Sequence, residues 1–241
     1  MSTLSLVTKS SLSKNKLTLI ATLALLLSAC NDNNNPVAET PLPAEYSYTV
    51  TVTNLTYAQP LSPLALILHS DNKMWVVGDI SSVALEKLAE SGDNTDFLNN
   101  SDAIATSSGD SVILPGSAST VEISTTDRMA TYFTAATMLV NTNDAFSGLT
   151  GIDISAMAVD DKKSWNLNVY DAGTEINSEA MGTIPGPADG GTGFDATRDD
   201  VDFVGYHSGV VSQDDGLSNS VLTQAHRFDN PAIKLTITRT K

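Results

Sequence analysis

The stretch YSYTVTVT, residues 46–53, decides the architecture. Tyr46, Tyr48, Val50 and Val52 alternate with Ser47, Thr49, Thr51 and Thr53. A period of two, with one apolar face and one hydroxylated face built from aromatic and β-branched residues, predicts a half-buried strand. Working outward, residues 64–68 (LALIL) and 74–77 (MWVV) are continuous apolar runs bounded by Pro63, His69 and Gly78, short enough for buried strands. The period then changes. Val83, Leu85, Leu88 and Ala89 recur at helical spacing after Ser81-Ser82, with Gly92 as a stop, which predicts one helix of about three turns. Further strands are expected at 119–124, 135–140, 165–170, 221–226 and 232–238; in the last, Ile233, Leu235 and Ile237 alternate with Lys234, Thr236 and Thr238. About eight strands and one short helix predict an all-β, antiparallel sandwich. No repeat or linker interrupts residues 46–241, and the turn-rich stretch GTIPGPADGGTG, residues 182–193, reads as a long loop inside one domain.

Composition narrows the partners. The 241 residues include 13 Lys and Arg against 28 Asp and Glu, a formal charge of −15, and a single cysteine. One cysteine excludes an internal disulfide, and the acidity argues against binding to phosphate backbones, so no nucleic-acid partner is expected. Hard cations are the natural counterparts. With 41% hydrophobic residues, a chain of this length can bury a full core.

The cysteine has a particular setting. Lys9, Lys14 and Lys16 precede the 11-residue apolar run 17–27, with no acid before it, which is the outline of a signal peptide over 1–29. The run is shorter than the roughly 18 to 20 residues of a permanent span. It ends in Leu27-Ser28-Ala29-Cys30, which resembles the lipobox of bacterial lipoproteins. That resemblance implies cleavage before Cys30, lipidation of its thiol and membrane attachment through the lipid; Asn31 after the cysteine implies the outer membrane. Cleavage would remove three lysines and leave 10 basic against 28 acidic residues, a charge of −18. Residues 30–45 then form a lipidated cysteine and a flexible, proline-containing tether.

Most motifs that suggest chemistry fail on their own requirements. Gly190-Gly191-Thr192-Gly193-Phe194-Asp195 fits one copy of a calcium β-roll repeat, but such sites form between stacked copies, so it reads as a glycine-rich surface loop. Asp93-Asn94-Thr95-Asp96 starts like an EF-hand loop, yet Leu98 stands where the turn needs glycine. His69, His207 and His226 show no zinc spacing, and His207-Ser208 lacks a nucleophile elbow. Three carboxylates remain. Asp144 lies in a short connection after the strand expected at 135–140, and Asp171 and Glu175 flank Gly173 at the end of the strand expected at 165–170. If the strand ends meet, these acids gather at one rim, where loop oxygens suit Ca²⁺; on composition alone, turn-capping acids are the favoured reading.

Five blocks, in order, resemble the spondin N-terminal domain family: Tyr48–Thr56 with Gln59–Pro63, Ala84–Asp93, Asn143–Gly148, Tyr170–Glu175 and Asn230–Ile237. Together they run from about Tyr46 to Arg239. The resemblance implies an eight-stranded antiparallel sandwich similar to calcium-dependent lipid-binding domains, with Ca²⁺ held by Asp144, Asp171 and Glu175 and loop carbonyls such as that of Ala172. It departs at Glu175, where animal members usually have Asp. It further implies a non-catalytic recognition or adhesion module that presents its loops to a protein or glycan. A carboxylate-dependent hydrolase and a passive structural lipoprotein without metal are the alternatives.

Overall fold

The computed structural model describes residues 43–71 and 73–241. The expected signal peptide, Cys30 and most of the tether lie outside these residues. The alternating stretch forms β1 (Tyr46–Asn54), followed by β2 (Ala65–His69), helices α1 (Val83–Ser91) and α2 (Thr95–Leu98), β3 (Ala103–Ser108), β4 (Ala118–Thr125) and β5 (Tyr132–Met138). After these come β6 (Ala145–Asp153), β7 (Lys162–Leu167), β8 (Val169–Asp171), β9 (Gly205–Tyr206) and β10 (Ile233–Arg239). Two antiparallel sheets result, ordered β4-β1-β10-β7 and β3-β2-β5-β6-β8-β9. The all-β sandwich is thus present, with ten strands among the described residues.

Alternation in β1 sets the faces. Val50 stands opposite Val121 and Ile237, and Val52 opposite Leu235. These side chains are buried against Leu66, Leu68, Phe133 and Leu149 of the other sheet, each stabilising the fold by about 1.5–3 kcal/mol relative to exposure. The other face carries hydroxyls, and Thr51 bonds Thr120 at 2.9 Å while Ser164 bonds Thr236 at 2.8 Å. β2 is buried at every position because both of its faces are covered: Leu66 and Leu68 face the sandwich core, whereas Ala65 and Ile67 pack beneath α1 and α2 with Leu85, Leu88, Phe97 and Trp75. That explains its continuous apolar run. α1 begins at the Ser82 N-cap, whose hydroxyl accepts the Leu85 N–H, and ends where the Gly92 N–H meets Leu88 O, as the sequence predicts.

Three strand expectations are corrected. Residues 74–77 form no strand; Trp75 is buried in the helix-covered core, Met74 packs against it half-buried, and Val76 and Val77 are each 42% exposed. Residues 165–170 are two strands in different sheets. β7 pairs with β10 and β8 with β6, and the chain crosses between sheets at Asn168, whose carbonyl accepts the Ser147 hydroxyl. Residues 221–226 contain a short 3-10 turn at Gln224–His226 and only Leu222 is fully buried. Conversely, β6 carries two glycines that obscure its pattern. Gly148 is required there because a Cβ would stand 2.1 Å from the backbone oxygen of Ala135 on β5. No helix among the described residues is long and apolar enough to cross a membrane.

Candidate metal centre

The three acids singled out in the sequence do meet at one rim, although not through parallel strands. β6 and β8 are antiparallel neighbours with Ala145 opposite Asp171, so the start of one strand lies beside the end of the other. Asp144 occupies the β5–β6 connection. That connection is held by Thr142, whose hydroxyl donates to Leu139 O and accepts the Ala145 N–H, and by paired bonds between Gln59 and Asn141.

Asp144 is fully buried. Its Oδ2 accepts the backbone N–H groups of Thr174 (2.8 Å) and Glu175 (3.2 Å) and the Thr174 hydroxyl (3.2 Å), while its Oδ1 is buried without a partner. Burial and then the charge of Asp171 push its carboxyl up to about 7, against the pull of those hydrogen bonds. Asp171 is differently placed: Oδ1 accepts the Gly173 N–H at 2.7 Å and Oδ2 the Asn177 amide at 2.6 Å. Asn177 in turn accepts from His207 Nε2 at 3.0 Å, and His207 Nδ1 accepts the Gly209 N–H, which fixes a neutral imidazole. Its burial lowers its pKa, against the charge of Asp171. Gly173 has φ 72°, and a Cβ there would stand 2.2 Å from Phe203 O, so the curl between Asp171 and Glu175 depends on glycine.

Glu175 carries a second buried, unpartnered oxygen, Oε2. Burial first, then the charges of Glu90, Asp144, Asp199 and Asp195, push its carboxyl up to about 8. Sequence reasoning missed two further contributors. Glu90 projects from α1, is 1% exposed, accepts the Asp195 N–H at 2.9 Å through Oε2 and leaves Oε1 unpartnered. Burial raises its pKa too. Asn143 donates its amide to the Thr183 hydroxyl and leaves Oδ1 unpartnered. Asn143, Glu175, Asp195 and Asp199 line one open cleft of about 390 Å³. Asp195 is the acid of the glycine-rich motif read above as a surface loop; an isolated GGxGxD carries no signal that α1 waits beside it. The Ala172 carbonyl, expected to complete a calcium shell, accepts the Ser81 hydroxyl at 3.0 Å.

Among the described residues, no three His, Cys, Asp or Glu side chains close on a single point as a ready metal cage. What the rim offers is a set of oxygens only, four of them buried and unsatisfied at Glu90, Asn143, Asp144 and Glu175. Buried polar atoms ordinarily have partners, and hard cations such as Ca²⁺ take oxygen donors of mixed kind, including amides and water. The donor chemistry therefore fits that ion. In comparison with known proteins, no family model and no curated protein matches the chain, so the resemblance to the spondin N-terminal domain rests on the sequence blocks alone.

Proposed function

We propose that this chain is a lipid-anchored envelope protein whose spondin-type sandwich binds Ca²⁺ at the rim formed by Asp144, Asp171 and Glu175 and acts, without catalysis, as a recognition module for a protein or glycan. The observation that carries the metal reading is the group of unpartnered buried oxygens at Asn143, Asp144 and Glu175. A cation would satisfy them and would offset carboxylates whose burial and mutual repulsion now oppose ionisation. Asp144 and Glu175 supply free oxygens, whereas Asp171, already bonded through both of its oxygens, would bind through remaining lone pairs. The lipobox at Leu27–Cys30 supports the anchor, and the five sequence blocks support the recognition role.

Carboxyls with raised pKa values in a cleft are also what an acid hydrolase would need. The cleft lining contains no aromatic residue on which a sugar ring could stack, so the binding role is preferred. In the test, the full chain is stripped with EDTA and its melting temperature followed as Ca²⁺ is returned. Stabilisation by Ca²⁺ that vanishes in Asp144→Ala/Asp171→Ala is the expected result. Melting that is indifferent to chelator in the wild type would reject the metal reading.

A further inference from the structure

A second polar site lies at the end of the strands opposite the rim. The rim forms where β5 ends and β6 begins; the other end of that pair, where Tyr132 stands opposite Asp153, is about 20 Å of strand away. There the start of β1, the β4–β5 and β6–β7 connections and the end of β10 enclose a cleft of about 130 Å³, with Tyr46, Tyr48, Asp127, Arg128, Ser155 and Arg239 in its lining. In a chain of formal charge −15, this lining carries two arginines against one acid.

Each arginine is placed by its surroundings. Arg239 stands opposite Tyr48; its Nε donates to Lys241 O at 2.7 Å, its Nη1 donates to Met157 O, and its guanidinium lies 5.0 Å over the Tyr46 ring. Its Nη2 has no partner among the described residues. Arg128 sits at the tip of a tight turn, in which the Asp127 N–H donates to the Thr125 hydroxyl at 3.1 Å, Asp127 Oδ1 accepts the Met129 N–H at 2.8 Å, and the Thr131 N–H donates to Met129 O at 2.8 Å. Among the described residues Arg128 has neither an ion pair nor a hydrogen bond. Asp127, the one acid, spends Oδ1 on that turn.

Tyr48 is the third component. It is 3% exposed, yet it lines the cleft and its hydroxyl has no partner among the described residues, whereas buried polar groups ordinarily have one. Burial raises its pKa, against the charge of Arg239, so the phenol is a protonated donor at neutral pH. The Ser155 and Thr131 hydroxyls already direct their protons elsewhere, to Asp153 Oδ1 and Met129 O. The side-chain protons left uncommitted in the cleft therefore belong to Arg128, to Arg239 Nη2 and to the two tyrosines.

We infer that this cleft binds the phosphate group of a phosphate ester, with Arg128 and Arg239 supplying the charge and Tyr48 a hydrogen bond. The arginine fork matches phosphate oxygens, and a phosphate offers more acceptor oxygens than a carboxylate to donors that arrive from β1, β10 and the β4–β5 turn. The site is separate from the rim and holds whether or not the rim takes a cation. Soluble phosphate esters and phospholipid headgroups both present this group. Only the lipid source rests on the anchor reading, under which the expected lipidated Cys30 precedes Tyr46, the first residue of β1 and a wall of the cleft, by 16 residues.

The test is an NMR titration of the ¹⁵N-labelled full chain, stripped with EDTA so that no metal can recruit phosphate, at about 150 mM NaCl to screen diffuse attraction. One arm uses glycerol 3-phosphate and the other dihexanoyl phosphatidylglycerol below its micelle concentration. Saturable shifts centred on residues 46–48, 127–131, 155 and 239 are expected. Tighter binding of the lipid assigns the site to headgroups, and tighter binding of glycerol 3-phosphate assigns it to soluble esters. Arg128→Gln should weaken binding about tenfold, as fits the loss of a charge-assisted hydrogen bond, and Tyr48→Phe, which removes only the hydroxyl, about fivefold. Lys234→Gln removes an equal charge from an exposed position on β10 outside the cleft and should leave the affinity unchanged. Arg128 is exposed and Tyr48→Phe keeps the ring, so both variants should fold, which their amide spectra report. No saturable shift with either probe, or an affinity in Arg128→Gln equal to that of Lys234→Gln, overturns the site.

Discussion

Replacing Asp144 by Asn isolates the cost of keeping a buried carboxylate ready for a cation. The group is fully buried and its carboxyl is raised from 3.8 to about 7 by desolvation and by Asp171. A folded-state pKa above the unfolded one means that the folded chain holds the proton longer, so stability in EDTA is highest below about pH 4 and declines as pH rises toward 7. The slope approaches about 1.4 kcal/mol per pH unit between the two pKa values and halves at the folded one, so the contribution of Asp144 amounts to about 2 kcal/mol between pH 5 and 7, and about 4 kcal/mol overall. Glu175, raised to about 8, acts in the same direction and extends the decline; its partial exposure makes its share smaller. His207 acts oppositely, because its depressed pKa makes stability grow as pH rises to about 6.5, the unfolded value. The His207 effect is common to wild type and variant, whereas removing the Asp144 charge also lessens the rise at Glu175, so the difference between the two proteins reports Asp144 together with its repulsion of Glu175. The amide introduced by Asp144→Asn would keep an oxygen for the Thr174 and Glu175 N–H groups. Urea unfolding at pH 5, 6, 7 and 8 in EDTA should show a shallower pH dependence in Asp144→Asn and, at pH 8, a variant at least as stable as the wild type. Added Ca²⁺ should reverse that order at pH 8, contributing about 2.7 kcal/mol to the wild type at a hundredfold excess over Kd and little to the variant. If Asp144→Asn is less stable than wild type in EDTA at pH 8 while keeping the full wild-type slope, the carboxylate is a structural cap and the reasoning fails.

Three other expectations follow from separate parts of the chain. Phe146→Ala should cost about 3–5 kcal/mol, since Phe146 is fully buried against Trp75 at 5.2 Å and Tyr170 at 5.4 Å; urea unfolding followed by tryptophan emission would measure it. Arg198→Ala leaves Glu86 buried and uncompensated, with a loss of about 3 kcal/mol and faster protease cleavage within residues 193–203. A loss below about 1 kcal/mol would place this pair among ordinary surface ion pairs. Cys30→Ser should move the protein from the detergent phase to the aqueous phase on cloud-point partition, because no acyl chain could then attach; unchanged partition would reject the lipobox reading.

The fold was legible wherever a strand has one wet face. Residues 46–53 and 232–238 alternate because β1 and β10 present hydroxyls or lysine to solvent on one side and aliphatics to the core on the other. Legibility fails where tertiary context replaces that asymmetry. β6 is covered on both faces over its first half and needs Gly148 for close approach to β5, so its pattern resembles a loop. Residues 74–77 read as a strand because Val76 and Val77 are apolar, although the segment packs only through Met74 and Trp75 and leaves both valines exposed. Residues 165–170 hide a change of sheet inside an unbroken stretch, since nothing about Asn168 announces which neighbour will hold it.

The site divides along the same line. Asp144, Asp171 and Glu175 were accessible to sequence reading because each lies within a few residues of a strand end, and strand ends are where loops collect oxygens. Glu90 and Asn143 were not, for opposite reasons. Glu90 falls in a well-formed amphipathic helix, where a glutamate is by default a solvated residue, yet the 193–199 segment crosses α1 closely enough that a Cβ on Gly193 would stand 2.9 Å from Ser91 Cβ. That crossing buries Glu90 and turns a surface acid into a group with one satisfied and one unsatisfied oxygen. Asn143 is uncharged, and only the proximity of Thr183, forty residues away, occupies its amide and leaves its oxygen without a partner beside the cleft. Both depend on where the glycine-rich loop returns to the sandwich. The loop's sequence, permissive enough to close against α1, is therefore part of what buries these two side chains and leaves an oxygen of each without a partner.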